Sequence, residues 1–136
     1  MIIRHLLRDH AGNSAIQFAF IAPTLILLTL GIVDMGRVGL AASSLRSAAI
    51  EAARFASVRG ASSPTPATTQ TITAVAQQQA VGISKANMAV AVTWTPNNKS
   101  GSEVKVELRY PVKLFISSLI PLPAIQLDRS SQMLIF

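Results

Sequence analysis

The chain has 136 residues, half of them hydrophobic, with a formal net charge of +6 and no cysteine. Disulfides and thiolate catalysis are therefore excluded. The histidines are His5 and His10, both close to the N-terminus, so a histidine triad or zinc site farther along is excluded as well. The basic residues are single and separated rather than clustered with aromatics, which argues against a nucleic-acid surface.

Residues 1–12 read as a short basic leader carrying Arg4 and Arg8. From Asn13 to Val33 no side chain ionises. As a helix this run spans roughly 30 Å, the thickness of a bilayer's hydrocarbon core. Residues 13–33 are thus expected to form a transmembrane helix. Pro23 removes one of its backbone hydrogen bonds and should kink it. Asp34 and Arg37 close the span as a polar pair at the membrane boundary. Leader arginines weigh slightly toward a cytoplasmic N-terminus, placing the following domain outside the cytoplasm.

No stop signal follows. Val38, Ala42, Leu45, Ala49, Ala52 and Ala56 recur at helical spacing, so residues 34–60 read as an amphipathic continuation of the same helix. Asp34 with Arg37, and Glu51 with Arg54, are opposite charges three residues apart. Read without interruption, residues 13–59 form a helix about 70 Å long, ending at Gly60. The alanine stripe is expected to pack on the chain's own sheet.

Residues 61–136 are expected to form an extracytoplasmic α+β domain. A Pro/Ser/Thr linker over 61–69 leads to a short helix from Thr68 to Ser84, with Ile72, Val75, Ala76, Ala80 and Ile83 on one face. The period then changes to two. Val90, Val92 and Trp94 share one face of a strand over 88–95, and Val104, Val106, Leu108 and Tyr110 face inward on a second over 103–110. The turn-rich segment Pro96–Ser102 joins them. Pro111 should end the second strand, residues 112–123 form a short helical turn and loop, and residues 124–136 supply a third strand. The fold class is α+β: a long N-terminal helix packed on a small antiparallel sheet of about three strands, covered on one side.

The six carboxylates form no paired catalytic arrangement and there is no glycine-rich phosphate loop. No enzymatic activity, cofactor, metal or small-molecule substrate is expected. The N-terminal block carries the specific signal. It comprises Gly12-Asn-Ser-Ala-Ile-Gln-Phe-Ala-Phe20, then Pro23, then Gly31-Ile-Val-Asp-Met-Gly-Arg37, then Ala48-Ala-Ile-Glu-Ala-Ala-Arg54. This block, within residues 12–59, resembles the TadE-like family of minor pilins and pseudopilins in tight-adherence (Flp-type) pilus systems.

The resemblance implies cleavage by a prepilin peptidase between Gly12 and Asn13, leaving the hydrophobic helix on the mature protein. Its implied partners are inner-membrane lipid, other pilin or pseudopilin subunits and the pilus assembly machinery. It also implies a pilin-like architecture and a role in assembling or initiating an adhesive pilus. One position departs from the pattern. Gln17 would be the fifth mature residue, where pilin-like families usually carry a glutamate that neutralises a neighbour's N-terminal ammonium in the apolar core. An amide offers hydrogen bonds but no charge, which favours a minor component over a bulk filament subunit. Two other readings are open: a secreted binding module cleaved near Ala41-Ala42-Ser43, and an uncleaved membrane-anchored binding module.

Overall fold

A computed structural model describes residues 10–136, with side chains from residue 14 onward. The elements in chain order are helix α1 (His10–Val58), helix α2 (Thr69–Gln79), a 3₁₀ turn (Lys85–Asn87) and strand β1 (Ala89–Thr95). Strand β2 (Glu103–Val112), a second 3₁₀ turn (Ile116–Ser118) and strand β3 (Ile125–Leu134) complete the fold. The expected basic leader falls mostly on residues 1–9, outside the described residues.

Helix α1 runs unbroken for 49 residues through Pro23. Carbonyls at its C-terminal end are satisfied from elsewhere in the chain. The Phe136 N–H donates to Ser57 O (3.1 Å), and the Ala67 N–H donates to Arg59 O (2.8 Å). The backbone then turns at Gly60, where no side chain fits: a Cβ there would lie 2.6 Å from Cγ2 of the buried Ile135.

The domain is a helix layer on a three-stranded antiparallel sheet of order β1-β2-β3. Val92 pairs with Val106 and Val106 with Ser131, so β2 is central. Val104, Val106 and Leu108 are fully buried on the inner face, as their alternation predicts. The outer face carries charge: Lys105 pairs with Glu107 (2.5 Å), Arg109 with Asp128 (3.6 Å), and the Gln132 amide donates to Glu103.

The α1 stripe packs on the chain's own domain, as expected, but the buried face is wider around the helix than the expected stripe. Leu45, Ala48, Ala49, Ala52, Ala53 and Ala56 are all buried, while Val38 and Ala42 are only partly so. The widening follows from two neighbours, since both α2 and the sheet lie against this half of the helix. Alanine at five of these six positions lets the backbones approach closely.

Two expected boundaries move. Helix α2 ends at Gln79, not Ser84. Ala80 caps it by donating to Ala76 O, and Gly82 takes a left-handed φ of +74° that turns the chain away. Its start matches expectation, with a reciprocal capping box between Thr68 and Thr71. Strand β2 continues through Pro111 to Val112. β1 stops opposite Arg109, so position 111 is paired only with β3, at Gln126. A proline is tolerated where one side of a strand is free.

Candidate functional site

Along α1 the environment changes abruptly. Residues 14–33 have almost nothing packed on them: Ile16, Phe18, Phe20, Leu25, Leu28 and Ile32 are all exposed. This part of α1 is long and apolar enough to cross a membrane, with a mean hydropathy of 2.2 over its best window. Its hydroxyls turn back onto the helix, Thr24 donating to Phe20 O (3.3 Å) and Thr29 to Leu25 O (2.8 Å). Such bonds hide a polar group in an apolar setting. Gln17 sits exposed within this half, and Pro23 lies inside the continuous helix. The backbone of Gly12 and Asn13 belongs to the first turns of α1.

At the end of this apolar half lies the most organised polar feature among the described residues. Asp34 retains only 4% of its surface exposed. Its carboxylate reaches across to the segment before β3, accepting the N–H of Phe115 on Oδ1 (2.8 Å) and the N–H of Ile116 on Oδ2 (3.0 Å). The Ile116–Ser118 turn has no side-chain cap of its own. Asp34 therefore does for this turn what an N-cap residue does, from 82 positions away in sequence.

Arg37 completes the joint from the next turn of α1. Its Nη1 lies 3.3 Å from Asp34 Oδ1 and donates to Lys113 O at 3.4 Å, while its guanidinium stacks 4.1 Å from the Phe115 ring centroid. The expected polar pair is thus joined by a partner that spacing within the helix could not reveal. The available clue was indirect: a lone acid after an apolar run, and a Phe-Ile-Ser-Ser turn lacking its own cap.

Burial pushes the Asp34 carboxyl upward, but the N–H groups of Ile116 and Phe115, together with Arg37, outweigh it. The net effect is a value below the ordinary 3.8. A carboxyl depressed in the folded state contributes stability above its unfolded pKa and loses it as pH falls through the folded value. Asp34→Ala should therefore accelerate amide exchange at Phe115 and Ile116 by at least about tenfold at neutral pH, the loss of two charge-assisted bonds. Exchange in central β2 should not change. In the unsubstituted chain the same two amides should lose protection as pH falls below 3.8.

Glu51 and Arg54 behave differently from expectation. They are absent from the four ion pairs among the described residues. Arg54 is exposed and Glu51 half-exposed, so each is solvated, and a surface pair three residues apart gains too little to hold two mobile side chains together.

Beside the joint, a groove of about 820 Å³ runs between α1, the turn after α2 and the end of β2. Arg37 and Lys113 line it with Leu40, Ser44, Val81 and Tyr110, and the lining includes no carboxylate or histidine. Ser44 donates to Val81 O (2.8 Å) across it. Among the described residues no group of three His, Cys, Asp or Glu side chains is placed to hold a metal ion.

Comparison with known families adds one finding. A family model described as TadE-like protein matches residues 12–54, which cover the apolar half of α1, the Asp34–Arg37 joint and most of the alanine face. No curated protein and no solved structure matches the chain. Over this segment, residues 12–54, the chain is similar to TadE-like proteins.

Proposed function

We propose that the protein is a minor pilin or pseudopilin that takes part in assembling or initiating a tight-adherence pilus. The observation that carries this reading is the division of α1. One half is apolar and bare, the other is built into the domain core, and the TadE-like match spans the junction between them. A bare apolar half stores the protein in a bilayer and offers a surface to similar helices. The domain, packed around the far half of the helix, is free to contact other pilus components.

In this reading residues 1–12 are a cytoplasmic leader, residues 13–33 span the inner membrane, and residues 34–136 lie outside the cytoplasm. A prepilin peptidase cuts between Gly12 and Asn13. Gln17 then brings no carboxylate to a neighbour's new N-terminus, which suits a component present in few copies. The protein acts without catalysis, and its partners are membrane lipid, pilin-like subunits and the assembly machinery.

The test is made in cells that carry the whole system. N-terminal sequencing of the membrane protein should begin at Asn13, and Gly12→Trp should leave the leader attached and reduce surface piliation. A start near Ala42 or Ser43 would replace this reading with a secreted module. Normal piliation after deletion of the chain would remove the assembly role.

A further inference from the structure

From Leu114 to Leu127 no side chain ionises, and the polar side chains of the run are Ser117, Ser118 and Gln126. Several of its large apolar side chains face solvent: Phe115 (52%), Leu119 (62%), Ile120 (46%) and Leu122 (43%). Scattered single apolar residues on a surface are ordinary, but these are gathered on one short segment, and an apolar patch of that kind marks a contact.

Its place in the fold says what covers it. Asp34 binds the N–H groups of Phe115 and Ile116, so this segment is held at the level on α1 where the apolar half ends. If residues 14–33 fill the hydrocarbon core at about 1.5 Å per residue, Asp34 lies at the interface, and the segment lies there with it. The strands run in the same sense. Val112 and Ile125, which flank the segment, pair at this end of the sheet, while Ile135 and the 96–102 hairpin pack beside Gly60 at the opposite end of the domain. Arg37 and Lys113 stand at its rim, suited to anionic headgroups, and the acid beside them, Asp34, is already engaged by Arg37 and two N–H groups.

We propose that residues 114–123 form a second membrane contact, a foot whose apolar side chains enter the headgroup–acyl boundary beside α1. The occupant is the bilayer itself. The foot fixes the rotation and tilt of the domain relative to the membrane, which a single helix cannot do. This inference rests on the reading of α1 as a membrane span, and not on the pilus assignment.

The absence of cysteine allows a direct test on the full chain. Single substitutions Leu119→Cys, Leu28→Cys and Lys99→Cys are labelled with an environment-sensitive fluorophore. The proteins are reconstituted in phosphatidylcholine–phosphatidylglycerol vesicles containing lipids with nitroxides at defined depths. The label at 119 should be quenched by shallow nitroxides, at a depth of about 5–10 Å. The label at 28 should be quenched by deep ones and the label at 99 by neither.

Quenching at 119 no greater than at 99, with 28 deeply quenched, would overturn the foot and leave the span intact. Shielding of 119 from both lipid nitroxides and aqueous iodide would overturn it in favour of a second protein copy on the patch. A label at 28 that no nitroxide reaches would overturn the span and the foot together.

Discussion

Val106→Asp should unfold the C-terminal domain. Val106 is fully buried, lies on the central strand, and is flanked by Val92 on one side and Ser131 on the other. The charged residues of β2 alternate onto the outer face, and Arg129 of β3, opposite Leu108, is exposed and donates to the Asp128 carbonyl. A carboxylate at 106 is left without a partner in an apolar interior. The cost is expected to be about 4–5 kcal/mol, comparable with the whole stability of a small domain. Denaturation of the detergent-solubilised full chain, followed by the near-ultraviolet signal of Trp94, reads it directly. The cooperative transition should disappear. Thr93→Asp, on the exposed face of β1, should cost less than about 1 kcal/mol. Equal effects at both positions would mean that the sheet has no protected face.

The second large effect is expected where the helix and the sheet meet through alanine. Ala52 is fully inaccessible and lies among Ala48, Ala49, Ala53 and Ala56. Ala52 has no accessible surface to grow into, so the three added carbons of Ala52→Leu must displace the side chains or backbones packed on it. Overpacking of this kind costs about 3 kcal/mol. Ile50→Ala, on the exposed side of the same helix, removes three carbons where no packing depends on them and should cost less than about 1 kcal/mol. Urea midpoints at unchanged slope would measure both. A leucine tolerated at 52 would mean that the helix is only loosely seated and that its alanines are kept for contact with another chain.

These two expectations differ in how well the sequence alone supports them. Alternation is enough to place Val106 inside, since a strand residue has only two faces available. The stripe from Ala42 to Ala56 likewise announces a buried helix side. Its true width is not legible there, because the burial of Ala48 and Ala53 depends on a second helix and a sheet both packing against the first. The end of β2 is hidden for a related reason: whether Pro111 interrupts a strand depends on where the neighbouring strand stops. The end of α2 is at least signposted by Gly82, whose positive φ turns the chain out of the helix direction.

The candidate site divides in the same way. Gly12, Gln17 and Pro23 are legible as a local pattern, and the family match covers them. The ion pair of Glu51 with Arg54 satisfies the spacing rule yet does not form, because exposure leaves both groups better served by water. Asp34 and Arg37 satisfy the same rule and do meet. What distinguishes the pairs is the third participant, the backbone of Phe115 and Ile116, which removes Asp34 from solvent and brings Arg37 a ring to lie on.

From the sequence by itself came the α+β class, the continuous helix about 70 Å long, the two-faced strands and the apolar run in the first half of that helix. Each depends on periodicity or on chain length, which are local properties. Tertiary structure alone decided how wide the alanine face is, where β2 and α2 stop, and that Asp34 holds the 114–123 segment at the boundary of the apolar helix. Those outcomes depend on which groups meet across long stretches of chain, and a carboxylate finds two distant N–H groups only after the sheet has carried them alongside the helix.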